Sequence, residues 1–362
     1  MSDAGPHLRQ LIALKGPLSL AEFMTEALWH PRAGYYAQSQ VLGAAGDYVT
    51  SPEISQMFGE LLGLWSAALW DAMGRPQPVQ LIELGPGRGL LMADALRALR
   101  VRPDFLAAAD VRLVEASRHL AEAQRKQLAA TGASWHADLA SVPEGAAILL
   151  ANEFLDALPI LQLERTAAGW RERLVDYDAA AGRFRFTLSP RPAPQEALLA
   201  PAERAAPLGS IVEVSPAAIG LVSIIARRLA AHGGVALFVD YGRAAGGTGA
   251  TLQALRRHKR HDALAAPGSA DLTAHVDFAA LARAAREAGA ACHGPVAQGE
   301  FLVQLGIRER AQHLAAAAPQ QADAIRQALE RLIAPDEMGT LFQAFVVAHP
   351  ALPVPAGFGE AA

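Results

Sequence analysis

The sequence predicts an α/β fold, a parallel β-sheet covered by helices on both faces. Two observations carry this. From Val79 onward four short apolar runs, "VQLIEL" (79–84), "DVRLVEA" (110–116), "AAILLANE" (146–153) and "GVALFVDYG" (234–242), are separated mostly by stretches of helical periodicity. Strands buried on both faces read as such unbroken runs, whereas strands with one wet face alternate. In addition, the first run ends in Glu83-Leu84 and is followed by Gly85, Gly87 and Gly89 and then by the helical "LLMADALRALR". A strand–glycine–helix junction of this kind aims a helix N-terminus into the crevice where α/β sheets take ligands.

The elements follow in order. "SLAEFMTEALWHP" (19–31) sets Leu20, Phe23, Met24, Ala27 and Leu28 on one helical face, with Ser19 as N-cap and Pro31 as stop. "GYYAQSQVLGAAGDYVT" (34–50) reads as a loop. "SPEISQMFGELLGLWSAALWDAMG" (51–74) reads as a second helix with Ser51 as N-cap, Ile54 rather than an acid at N3, and Gly74 beyond its end. After the four strands and their helices, the region 163–213 breaks the pattern. There Phe184, Phe186 and Leu188 alternate with Arg183, Arg185 and Thr187 after Gly182, which predicts an inserted β-hairpin. The Pro/Gly-rich tail after His349 reads as frayed.

Composition narrows the function classes. With 362 residues, 52% of them hydrophobic, the chain can bury a large core. A net charge of −4 gives no footprint for nucleic acid. The longest apolar stretch, "LLGLWSAALW" from Leu61, is too short to span a bilayer, so no membrane insertion is expected. One cysteine, Cys292, excludes an internal disulfide. With no signal-peptide pattern at the N-terminus, the expectation is a cytoplasmic protein. No His/Cys/Asp cluster has ligand spacing, and no metal site is expected.

The glycine loop points to a particular ligand. Dinucleotide sites use G-x-G-x-x-G, but here the spacing is G-x-G-x-G, and Leu90 stands where the third glycine would fall. Pro86 also removes one N–H donor from the loop, which suits a pyrophosphate poorly. A second acid, Glu115, ends the next strand 26 residues beyond Gly89. Backbone N–H groups for a carboxylate and an acid for two ribose hydroxyls together describe S-adenosyl-L-methionine. In "SWHADL", Trp135 or His136 is placed to pack an adenine; Asp138 either accepts from its amino group or caps a turn.

Taken with "GDYVTSPEISQMFGELLGLW" (46–65), "IELGPGRGLLMADALR" (82–97), "ANEFLDALPI" (151–160), "VDYG" (239–242) and "DLTAHVDF" (271–278), the chain resembles the MidA-like S-adenosylmethionine-dependent methyltransferases. "QGEFLVQLGIRER" (298–310) and "MGTLFQAF" (338–345) extend the resemblance over about the whole chain. It implies a seven-stranded, Rossmann-like class I methyltransferase sheet at 76–350, after an N-terminal helical and lid region (1–75) and before a flexible tail (351–362). Tyr48, Thr50 and Ser51 would belong to the lid over the cofactor. The implied activity is methylation of arginine in a protein partner related to a respiratory complex I subunit. A small-molecule methyltransferase and a non-catalytic assembly partner that keeps the fold stay open beside it. The sequence leaves the oligomeric state open, and a homodimer is compatible with it.

Methyl transfer to a guanidinium asks for carboxylates that clamp a planar cation. Asn152, Glu153 and Asp156 follow the fourth strand and form the expected acceptor clamp, unless Glu153 binds nearby backbone and Asp156 caps the turn before Pro159. In "DLTAHVDF", His275 either orients the acceptor and takes up a proton or is a structural histidine, and Asp277 caps the next helix. The basic run "RRHKRH" (256–261) reads as a solvated loop.

Overall fold

The structure, a computed structural model, describes residues 3–37, 49–256 and 259–359. The chain divides into two compact units, each assembled from separate stretches. One comprises Val49–Phe154, Val222–Gly242 and Ala282–Ala362; the other comprises Met1–Tyr48, Leu155–Leu221 and Arg243–Leu281.

The first unit holds the predicted sheet. The sheet has eight strands among the described residues rather than the seven implied by the resemblance. The seven that form its continuous path, numbered here in chain order, are β1 (Val79–Leu84), β2 (Ala109–Val114), β3 (Ser134–His136), β4 (Ala147–Asn152), β5 (Gly234–Arg243), β6 (Ala291–Ala297) and β7 (Phe342–Ala348). They lie in the order β6-β7-β5-β4-β1-β2-β3. All neighbours from β5 to β3 pair in parallel, while β7 runs antiparallel to both β5 and β6. The order reverses between β1 and β4, and ligands bind at such a switch point, beyond the strand ends. Every residue of β1 is buried, as a strand covered on both faces requires. The core joins Phe58, Trp70, Leu113, Ile148, Leu237 and Val346.

Two expectations in this unit need correction. The second helix is not continuous: Ser51–Ile54 forms one short helix and Gln56–Ala72 another. Ser55 between them is extended (φ −158°, ψ 139°) and caps the longer helix through its hydroxyl, which accepts from the Met57 N–H. The N-cap of the short helix is Thr50 rather than Ser51, and Glu53 at N3 reaches back to the Thr50 N–H (3.3 Å), which supplies the acid of a capping box. The tail is not frayed as far as Gly359. The Trp65 indole donates to the Ala356 carbonyl (3.0 Å), and Phe358 packs on Phe301.

The second unit is built on antiparallel pairing. The predicted hairpin exists, with Gly169–Asp178 and Arg183–Pro192 paired around Gly182, at φ 65°. It is part of something larger, because Leu161–Thr166, Ile211–Val214 and Leu18–Ser19 join it in a five-stranded sheet. The helix Leu20–Trp29 starts as read, with Ser19 and Glu22 closing a capping box. The basic run is not a loop where described: Gln253–Arg256 and Lys259–His261 are paired strands. Tyr48 and most of the loop read at 34–50 lie outside the described residues, although Tyr35–Ala37 forms a short 3-10 turn.

Candidate active site

The glycine loop joins β1 to the helix Leu90–Ala98. It turns tightly, with the Gly85 N–H donating to the Val114 carbonyl (3.0 Å) and the Gly89 N–H to that of Pro86 (2.7 Å). Gly85 has two reasons to be glycine. Its φ is 61°, and a Cβ there would stand 2.6 Å from Cδ2 of Phe154. The loop therefore presses against the segment that follows β4, across the switch point of the sheet.

Glu115 leaves β2 beside this loop. Its Oε1 accepts from the Ser117 N–H (2.7 Å) and its Oε2 from Gln124 Nε2 (3.0 Å). Burial raises its carboxyl above the usual range, and these two hydrogen bonds oppose the rise. The Ala116 N–H is a further donor to this carboxylate, and the roughly four acceptor sites of a carboxylate then leave room for a ligand hydroxyl. Glu83 lies deeper, 3% exposed. Burial pushes its carboxyl up to about 8, against a hydrogen bond from the Met92 amide and with help from the charge of Glu115. Its Oε2 is buried with no hydrogen-bond partner among the described residues.

Gln124 was not singled out in the sequence, yet it joins these parts: it also donates to the Gly87 carbonyl (2.8 Å) and accepts from the Trp135 indole (3.0 Å). A signal was present. On the helix Arg118–Gln127 the buried residues are Leu120, Ala121 and Gln124, a polar side chain on an apolar stripe. His136 is held by Arg112 and Ser141, and Asp138 is exposed and caps the turn Leu139–Ser141 by accepting from the Ser141 N–H (2.8 Å). The capping reading of Asp138 is thus realised at one oxygen.

After β4, Glu153 is one of the few non-glycine residues at positive φ (49°). Its N–H donates to the Val239 carbonyl (2.9 Å), and its Oε1 accepts from the Ser51 N–H (2.8 Å) and from Asn152 Nδ2 (3.0 Å). The backbone-bracing alternative therefore describes one oxygen of Glu153. Asn152 Oδ1 is buried with no hydrogen-bond partner among the described residues. Phe154 is anchored through its N–H to Asp240 (3.1 Å). The Thr50–Glu53 segment is tied at both ends: Ser51 to Glu153, and Glu53 to Arg88 of the glycine loop (3.7 Å). Ser51 is fully buried, and its hydroxyl donates to Gln298.

Asp156 and His275 belong to the other unit. There the Asp156 carbonyl accepts from the Ala274 N–H (3.0 Å), and the His275 N–H donates to Thr251 Oγ1 (2.8 Å). Burial, together with the charge of Arg243, lowers the His275 pKa. Asp277 caps its helix through the Ala280 N–H, as read. The four residues of the expected clamp are thus divided, two to each unit.

Sequence spacing disclosed no metal-ligand cluster, but folding assembles one candidate among the described residues, His7, Glu26 and His30. Glu26 Oε2 pairs with His7 Nε2 at 3.0 Å. His30 Nδ1 already accepts from the Arg32 and Ala33 N–H groups (3.2 and 3.0 Å). Its ring proton is then placed on Nε2, which leaves that nitrogen a donor rather than a ligand.

Comparison with known proteins identifies the family. A family model of S-adenosyl-L-methionine-dependent methyltransferases matches residues 61–296. The mitochondrial protein arginine methyltransferase NDUFAF7 of Mus musculus is 40% identical, over 94% of this chain and 83% of its own length. The Homo sapiens protein is 39% identical over 94% and 82%. A crystal structure of a methyl transferase candidate from Burkholderia thailandensis, bound to S-adenosyl-homocysteine, aligns with a TM-score of 0.86 at 30% identity, covering 99% of this chain and 95% of that one. The expectation of a cytoplasmic protein is overturned, since these curated relatives are named as mitochondrial. Among the described residues no helix is long and apolar enough to cross a membrane.

Proposed function

Since the chain belongs to the S-adenosyl-L-methionine-dependent methyltransferase family and takes that cofactor, we propose that it methylates an arginine side chain of a protein partner, one related to a respiratory complex I subunit. The bound cofactor supplies a methyl group already activated on a sulfonium. The residues beside the glycine loop fit it: Glu115 keeps acceptor capacity for a ribose hydroxyl, and Glu83 Oε2 is a buried polar atom open to a ligand partner. Thr50 and Ser51, on the tethered segment, are the lid positions of this reading.

The acceptor side then has one task, to hold a guanidinium in line with the methyl and away from water. The observation that carries the arginine reading is the pair at the end of β4. Asn152 Oδ1 is a buried acceptor without a partner, beside the Glu153 carboxylate, which its own amide and the Ser51 N–H hold in place. Such a pair suits a planar, multi-donor cation. As the N–CH3 bond forms and the S–CH3 bond breaks, the guanidinium gives up one proton, to water or to a carboxylate of the clamp. That relatives 40% identical are named protein arginine methyltransferases supports the same reading.

The test is mass spectrometry on candidate protein substrates incubated with the cofactor, with and without this protein. Methylarginine appearing only with active protein is the expected result. Methylation confined to small molecules would replace the reading.

A further inference from the structure

The hydrogen bonds of the cofactor side converge on a residue outside every motif. Gln124 is fully buried, and its one amide serves three elements: Nε2 donates to the Gly87 carbonyl and to Glu115 Oε2, and Oε1 accepts from Trp135 Nε1. The partners fix its orientation, because a flipped amide would set its oxygen against two acceptors and its NH2 against the indole donor. Cγ of Gln124 also lies 3.5 Å from where a Cβ on Gly89 would be, so the helix packs directly on the loop.

We propose that Gln124 is the positioning residue for the nucleoside half of the cofactor, setting the Gly87 turn, the Glu115 carboxylate and the Trp135 ring through a single side chain. The inference rests on the reading that Glu115 receives the ribose. Without Gln124, one oxygen of Glu115 loses its fixed donor and the carboxylate can rotate away from the hydroxyls. The indole also loses the acceptor that orients its face. Both losses act on binding and leave the methyl-transfer step untouched.

Three variants decide it, Gln124→Met, Gln124→Glu and, as reference, Glu115→Gln, with calorimetry for the cofactor and steady-state kinetics. Gln124→Met, similar in length but without the amide, should bind S-adenosylmethionine and S-adenosylhomocysteine roughly 10- to 100-fold more weakly. Its cofactor KM should rise in step while kcat at saturating cofactor stays near wild type. In Gln124→Glu the new carboxylate keeps an acceptor for Trp135 but donates to Glu115 or Gly87 only when protonated. Its affinity relative to wild type should therefore recover as pH falls from 8 towards 5. Glu83 and Glu115, the other acids here, are common to both proteins. If Glu115→Gln binds the cofactor like wild type, the ribose reading fails. If Glu115→Gln is weakened while Gln124→Met binds normally, or falls in kcat with an unchanged cofactor KM, the proposal alone is overturned. Should Gln124→Met not fold, the pH profile of Gln124→Glu decides, and a profile parallel to wild type overturns it.

Discussion

After β1 the chain turns on glycines, at φ 61°, 54° and 79° for Gly85, Gly87 and Gly89; after β4 it turns on Glu153, at φ 49°. Both junctions face the switch point of one sheet and need left-handed backbone, and they meet that need with opposite residues. At Gly85 a side chain is excluded, because the Phe154 ring fills the place of its Cβ. At Glu153 a side chain is retained although the conformation costs about 1 kcal/mol or more in a residue with a Cβ. Three hydrogen bonds to its backbone and carboxylate offset that cost. On the proposed reading, the difference separates a junction shaped for a ligand's approach from one shaped to present a group.

Substitutions can break or sharpen this contrast. The largest effect is expected at Glu153. Glu153→Gln keeps an acceptor for the Ser51 N–H but removes the charge, so methyl transfer should fall by roughly 10²-fold or more while calorimetric cofactor affinity stays near wild type. Full activity in that variant would remove Glu153 from the clamp. On the glycine side, Glu115→Ala should weaken cofactor binding by about 1.5–3 kcal/mol in a folded protein, measured by the same titration. Gly85→Ala adds a Cβ at positive φ against Phe154, and chemical denaturation should register a loss of about 1–3 kcal/mol; an unchanged midpoint would mean the ring simply moves aside.

The remaining effect is pH dependent. Glu83, raised to about 8 by burial, holds its proton more tightly folded than unfolded. It therefore favours the folded state fully below its ordinary value of 4.5 and loses that contribution as pH rises towards 8. Unfolding between pH 5 and 8 should show a Glu83-dependent fall of at most about 1.4 kcal/mol per pH unit, and Glu83→Gln should flatten it.

Much of the sheet was legible because burial on both faces leaves unbroken apolar runs, and β1, β2, β4 and β5 fall where those runs are. The position of Glu115, directly after β2, was legible for the same reason, since strand and helix lengths fix which residue follows that strand. The features that were hidden depend on partners far along the chain. The tail docks on Trp65, 291 residues away in sequence, and no local pattern announces that. Leu161–Thr166 and Ile211–Val214 are short and only partly buried, so their alternation was too weak to reveal a five-stranded sheet. Ser55 was read as a helical position because its capping of Met57 is a competing local bond. The division of Asn152 and Glu153 from Asp156 falls between adjacent positions of one motif, where composition offers no boundary.

The short helix Ser51–Ile54 is bonded to the turn after β4 through Ser51 and to the glycine loop through Glu53 and Arg88. On the proposed reading it is, thermodynamically, a lever with one arm on each ligand. If the cofactor displaces Arg88, Glu153 feels a changed partner, and the acceptor's affinity shifts by some factor. Reciprocity then requires the acceptor to alter the cofactor's affinity by that same factor. The two substrates need never touch for each to report on the other's arrival.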